Sequence, residues 1–339
     1  MPNPKLMFGA RRLVTEVANV QVGEQALVVT DALTDPSIAN ALAAALHEVH
    51  AVPLILHTDR AKADSHEPPP AVAAAMLEAD VVFLAVQVSL THTHAVRAAC
   101  ARGGRVAALT QWVPEMLVSG GIEADFLGLE PIVLRLAAIW DEGSGVHVTS
   151  PSGTDMTLDI RGRLGTPHAK TGIVRPGTFH PIPDIEAPVS PVTGHGVIVC
   201  DASIPYLDIG VLDEPVWLTI EEGRVTSIQG GWAAERVRIA WEEMYDPNVY
   251  HLAELGVGMN PHCRLTGRML EDEGVATTCH FGIGTSDTLG GNVKAACHYD
   301  FIVHSPTIEV DGIPVMRQGH LLSVEDTFAG GGEFGVTPS

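Results

Sequence analysis

Cysteine is sparse in this chain, and the few present follow no pattern. The 339 residues contain five, Cys100, Cys200, Cys263, Cys279 and Cys297, an odd number without a CxxC pair. That argues against a zinc ribbon and a closed disulfide framework, and fits reduced thiols in a cytoplasm. Basic residues are also few: 20 Lys and Arg stand against 41 Asp and Glu, a net charge of −21. Such a surface repels phosphate backbones and anionic lipid, so neither nucleic acid nor membrane is an expected partner. Long hydrophobic runs are missing. The longest, such as Asp80–Gln87, reach about ten residues where ~20 are needed to cross a bilayer. The segment Met1-Pro2-Asn3-Pro4-Lys5-Leu6 lacks the apolar stretch of a signal peptide. Neither GxGxxG nor GxxxxGK[ST] follows any strand-like run, so no nucleotide cofactor is expected.

What is present suffices for a large core: 46% of residues are apolar and 18% charged. Short apolar runs at Ala26–Thr30, Val52–His57, Asp80–Gln87 and Arg105–Thr110 read as buried strands. Between them, helices are expected from Pro36 to about Val49, over Ala71–Glu78 and over Thr91–Arg102. Pro36 at the first helical position and Gly103-Gly104 after the last helix mark two of their ends. The alternation predicts an α/β domain with a parallel, doubly wound sheet over residues 1–145. Beyond it, short alternating segments separated by Gly, Pro, Asp and Asn predict a larger β-rich α+β domain over 146–325. Trp217–Ile220 and Val225–Ile228, joined through Glu222-Gly223, read as a β-hairpin. One helix is expected near Gly231–Tyr245, and residues 326–339 read as a flexible tail.

Sixteen histidines direct the search for chemistry, since several lie near acids in the last third. In Cys297-His298-Tyr299-Asp300-Phe301-Ile302-Val303 the apolar run makes a strand. Alternation then puts His298 and Asp300 on one face, where they can ligate a metal together; a core histidine paired with an acid gives the same pattern. In Thr278-Cys279-His280-Phe281-Gly282-Ile283-Gly284, His280 shares a face with two glycines that let a ligand approach the backbone. A surface histidine before a turn would look alike. Glu254 sits in an apolar, glycine-punctuated segment, where a carboxylate calls for a partner or a cation unless it faces solvent at a strand edge. Asp184-Ile185-Glu186-Ala187-Pro188 reads as a Pro-rich loop, a setting in which a lone acid is usually just solvated. Together these segments offer three carboxylates and two imidazoles, a donor set suited to one or two divalent ions such as Zn, Mn, Co or Fe.

The series Ser152-Gly153-Thr154-Asp155, Glu186-Ala187-Pro188, Glu254 through Pro261, His280 through Gly284 and His298-Tyr299-Asp300 resembles the metallo-aminopeptidases of the aminopeptidase T and aminopeptidase S type. The chain length, Tyr245 through Tyr250 and the closing His298-Tyr299-Asp300 also resemble 2,5-dihydroxypyridine 5,6-dioxygenase, an iron enzyme sharing that fold. The aminopeptidase pattern implies Glu186, Glu254, His280, His298 and Asp300 as ligands of two metals. The dioxygenase pattern implies a histidine where Glu254 stands and a two-His, one-carboxylate iron site. All five aminopeptidase ligands match, so the donor set favours the hydrolytic branch. The aminopeptidases also carry a tyrosine a few residues after the His280 position; here Asp287 stands there, and no tyrosine occurs between Tyr250 and Tyr299.

The leading expectation is therefore a metal-dependent hydrolase acting on a small amide, cyclic ones included, or on a peptide N-terminus. A metal-activated water attacks and Glu186 takes its proton if it is not itself a ligand. The alternative is a non-haem Fe(II) ring-cleaving dioxygenase, and a third reading keeps the fold as a non-catalytic binding protein. The partner in both enzyme readings is a small molecule, and the resemblance implies a homo-oligomer.

Overall fold

The computed structural model describes residues 3–62, 66–91 and 93–322; the tail from residue 326 onward lies outside the described residues. By its contacts the chain forms two units. One comprises Met1–Val133, Lys170–Glu186 and Met259–Val275, the other Leu134–Ala169, Ala187–Gly258 and Ala276–Ser339.

In the first unit, helix α1 (Met7–Arg12) precedes strand β1 (Gln25–Asp31), followed by α2 (Pro36–Glu48), β2 (Val52–Thr58), α3 (Pro70–Glu78), β3 (Val81–Ala85), α4 (His94–Ala101) and β4 (Arg105–Ala108). Local chemistry sets these ends. Asp35 caps α2 by accepting from the Ser37 N–H at 2.8 Å, and Pro36 fills the first turn, where no N–H is needed. Thr93 caps α4 by accepting from Val96 N at 3.3 Å. The sheet is parallel, with order β2-β1-β3-β4 and then Phe179–Pro181, which is β7 in chain order. Every residue of β3 is buried, because β3 is central and α3 and α4 close one side over Leu84, Val96 and Met76.

After a long helix α5 (Phe126–Glu142) come the antiparallel strands. They are β5 (Gly145–Thr149), β6 (Asp155–Asp159), β8 (Glu186–Val189), β9 (Thr193–Cys200), β10 (Ser203–Ile204), β11 (Gly210–Val211), β12 (Val216–Glu221) and β13 (Arg224–Gln229). Helix α6 (Trp232–Glu243) intervenes, and then come β14 (Leu252–Gly258), β15 (Thr278–Gly284), β16 (His298–His304), β17 (Thr307–Val310), β18 (Ile313–Arg317) and β19 (His320–Leu321). One sheet has order β13-β12-β9-β6-β5-β17-β18-β19, the other β11-β10-β16-β15-β14-β8. The hairpin of β12 and β13 closes with Glu221 opposite Arg224. Glu222 and Gly223 both take positive φ, 49° and 74°, the conformation of a two-residue turn that matches strand twist.

Two expectations need correction. Glu186 does not sit in a loop: it opens the buried strand β8. The one helix expected within residues 146–325 is joined there by the short α7 (Met269–Asp272); α5, which precedes that stretch, carries Pro131 within its first two turns. A proline there reads as a break, yet it removes only one hydrogen bond, and the buried Val133, Leu136, Ala137 and Trp140 hold the helix. By its contacts α7 lies in the first unit.

Candidate metal centre

The six-stranded sheet builds the site from register. Gly282 of β15 pairs with Glu254 of β14 on one side and with Asp300 of β16 on the other. His280 pairs with Gly256, and Gly284 with His298. Residues directly opposite one another share a face, so Glu254, His280, His298 and Asp300 stand on one face of three neighbouring strands. Plain alternation would put Leu252 there as well. A bulge intervenes: Leu252 pairs with Ile283 and Glu254 with Gly282, so Ala253 is the extra residue. It turns Leu252 to the opposite face from Glu254.

Glycine leaves the room the side chains need. A Cβ on Gly282 would lie 2.5 Å from both Cε1 and Nε2 of His298 and 2.9 Å from the Glu254 Cβ. The imidazole thus lies over Gly282 and reaches Glu254. Its Nε2 is 2.9 Å from Glu254 Oε2 and 3.2 Å from Asp300 Oδ1. Its Nδ1 donates to the Thr285 carbonyl at 2.8 Å, which fixes the ring and aims Nε2 at the carboxylates.

Glu186 enters from β8, the strand beside β14. The segment before it is tied down. Met259 N donates to Ile185 O at 2.8 Å, and Lys170 and Glu186 exchange backbone hydrogen bonds of 2.9 and 3.0 Å. The fully buried Asn260 donates from Nδ2 to Pro183 O at 2.9 Å. Trp140 Nε1 donates to Ala187 O at 3.2 Å. Glu186, Glu254 and His280 form one group whose donor atoms lie within 4.8 Å of one another; Glu254, His298 and Asp300 form a second. Glu254 belongs to both. Glu186 and Glu254 are each 4% exposed, Asp300 3% and His280 1%.

Burial of this much charge needs compensation. Burial alone would lower the His298 pKa, but the charges and hydrogen bonds of Asp300 and Glu254 outweigh it and hold the ring well above its usual range. Burial likewise pushes the Asp300 carboxyl up. The charge and hydrogen bond of His298, the charge of His280 and a hydrogen bond from Tyr206 bring it instead well below the usual carboxylate range. Three carboxylates and two imidazoles on a buried sheet face fit a divalent cation by donor type and by charge.

Tyr206 is the site residue that sequence reasoning misses. It donates from its hydroxyl to Asp300 Oδ2 at 2.6 Å, and its ring lies 4.8 Å from that of Tyr299. It starts the turn between β10 and β11, where Leu207 and Asp208 take φ of 58° and 57° and Ile209 N donates to Tyr206 O at 3.0 Å. Neither central residue is the Gly or Asn that announces such a turn, so only the neighbouring Pro205 hinted at one. Asp287, at the position where the aminopeptidases carry tyrosine, is exposed and accepts from Thr285 Oγ1 at 3.0 Å.

A parallel α/β sheet, antiparallel sheets and a buried carboxylate-imidazole face are the make-up of a metalloenzyme. Residues 7–323 match the family described as NicX, 2,5-dihydroxypyridine 5,6-dioxygenase, and the chain belongs to that family. A curated relative, 2,5-dihydroxypyridine 5,6-dioxygenase of Pseudomonas putida KT2440, is 30% identical over 125 residues, 34% of this chain and 36% of the relative. In sequence the chain thus spans about a third of that relative's length. The solved structure of 2,5-dihydroxypyridine dioxygenase from Pseudomonas putida KT2440 superposes with a TM-score of 0.80 at 20% identity, covering 96% of this chain and 100% of that one. Wild-type AmpT from Thermus thermophilus gives 0.66 at 15% identity, covering 94% and 99%. Both likenesses show the fold, and both families of the sequence resemblance are met. No helix among the described residues is long and apolar enough to cross a membrane.

Proposed function

We propose that the protein is a non-haem Fe(II) dioxygenase that opens a hydroxylated ring of the 2,5-dihydroxypyridine type. The observation that carries this reading is the family match over residues 7–323. It reverses the preference for hydrolysis drawn from the donor residues alone. In this reading His280, His298 and one of Glu254 and Asp300 would hold the iron as a two-His, one-carboxylate set, which requires the two histidines, placed in separate groups that share Glu254, to close on one ion. A bound Fe(II) supplies the redox centre that lets O2 react with an aromatic ring.

The remaining work belongs to the chain. Thr285 keeps His298 in one tautomer through its Nδ1. The buried sheet face excludes water and strengthens every charge interaction within it. Glu186, grouped with Glu254 and His280, is the base that takes a proton from a ring hydroxyl of the substrate.

A second reading is favoured by one observation. Two three-residue groups share Glu254, and a shared carboxylate can bridge two cations. That is the arrangement of a dinuclear hydrolase acting on a small amide or peptide N-terminus.

Counting metals and measuring O2 together separate the two. Protein purified without chelator is analysed for metal, then loaded anaerobically with Fe(II) and given 2,5-dihydroxypyridine beside an oxygen electrode. One iron per chain with substrate-dependent O2 uptake is the expected result. Two Zn, Mn or Co per chain, amide hydrolysis and no O2 uptake would replace the dioxygenase reading with the hydrolase one.

A further inference from the structure

Two of the three side chains in the Glu254, His298 and Asp300 group have their donor atom selected by a neighbour on the far side. For His298 the neighbour is the Thr285 carbonyl, which takes Nδ1 and leaves Nε2 facing Glu254 Oε2 at 2.9 Å. For Asp300 it is Tyr206, whose hydroxyl takes Oδ2 at 2.6 Å while Oδ1 stays 3.2 Å from His298 Nε2. An O–H···O⁻ contact of this length is a strong, charge-assisted hydrogen bond.

We propose that Tyr206 is a positioning residue of the metal centre: by holding Oδ2 it leaves Oδ1 as the single oxygen that Asp300 offers a cation. The inference rests on the metal-centre reading above, but not on which reaction the centre performs. Free carboxylates bind cations through one oxygen or both, and swing between the two. A phenol fixed on one oxygen removes that choice and draws off part of the negative charge. Tyr206 is itself placed from two sides. The turn through Leu207 and Asp208 is pinned by Arg236, which donates from Nη2 to Leu207 O at 3.0 Å, and the ring rests near Tyr299. Removing the hydroxyl while keeping the ring therefore isolates the hydrogen bond. Partners behind a metal ligand typically contribute about 10–100-fold in affinity.

The test uses the full chain stripped by chelator, in four forms: wild type, Tyr206→Phe, Asp300→Asn and the double variant. Each is titrated with Zn(II) against a chromophoric chelator and with Co(II) while its visible spectrum is recorded. Tyr206→Phe is expected to melt as the wild type does, to bind Zn(II) about 10–100-fold more weakly and to shift the Co(II) bands. In the Asp300→Asn background the same change should alter affinity by less than about threefold, because the partner it acts through is gone. Wild-type affinity and an unshifted Co(II) spectrum in Tyr206→Phe overturn the proposal, as does an equal loss in both backgrounds. If the wild type binds no ion, the metal-centre reading falls and this inference with it. If the wild type binds and Tyr206→Phe binds equally well, this inference alone falls.

Discussion

Gly282 lies beneath the imidazole of His298, so close that a Cβ on Gly282 would sit 2.5 Å from Nε2. The ring is pinned at its other nitrogen by Thr285. On the other side the added carbon would meet the Glu254 Cβ at 2.9 Å. Gly282→Ala should therefore push His298 off the carboxylates while the strands stay paired. The expected outcome is a loss of metal affinity of at least about tenfold, with an unchanged far-UV spectrum. An alanine variant that binds metal as the wild type does would show that His298 is not a ligand.

Glu254 belongs to both candidate groups, so it is the residue at which the number of cations can be tested. Replacing it with histidine removes a negative charge and an oxygen that two ions can share. If one iron is held as proposed, Glu254→His keeps one metal per chain and retains O2 uptake, since His280, His298 and Asp300 remain. A fall from two metals to one, with loss of amide hydrolysis, supports the dinuclear reading. Metal analysis beside the oxygen electrode reads both.

His180, in the first unit, sets an acid limit. Burial, then the charges of Lys170 and Arg175, push its pKa down to about 3, and its Nδ1 finds no hydrogen-bond partner among the described residues. Above the unfolded value of ~6.5 the ring is neutral in both states and pH has no effect through it. As pH falls from there toward 3, the unfolded chain takes a proton that the folded one refuses, and stability is lost. At pH 5 the loss is about 2 kcal/mol. Urea unfolding at pH 7 and pH 5 should show it, and His180→Leu should show a smaller difference between the two pH values. An unchanged difference in the variant would place the acid sensitivity elsewhere.

The thiols should be inert in the folded protein. Burial pushes Cys100 up to about 11 and Cys200 and Cys263 higher still. At pH 8 roughly one in a thousand Cys100 side chains is then thiolate, the reactive form. Iodoacetamide labelling followed by peptide mass mapping should leave Cys100, Cys200 and Cys263 unmodified until denaturant is added. Rapid labelling of Cys200 in the native protein would contradict its burial.

The elements of the first unit were legible because their signals are local. Asp35-Pro36 starts a helix through its own side chain and ring, and the run that becomes β3 is apolar throughout because helices cover it. His298 and Asp300 share a face by the two-residue period of one strand. Other features gave no such signal. Phe179–Pro181 is too short to show a period, and only its neighbour β4 makes it a strand. Glu186 reads as a loop acid beside Pro188, and β14 alongside makes it part of a sheet.

By itself the sequence determined which segments form helices and strands in the α/β half, which donors the chain possesses, and which of them share a strand face. Those properties depend on residues a few positions apart. The tertiary structure decided what those donors face. The extra residue Ala253 turns Leu252 away from the face of Glu254. Gly282 leaves the space under His298, and a turn 94 residues from Asp300 delivers the Tyr206 hydroxyl. Each depends on strand register between segments distant in the chain. Register is set by the packing of the whole sheet, and one residue of slip would move every side chain to the other face.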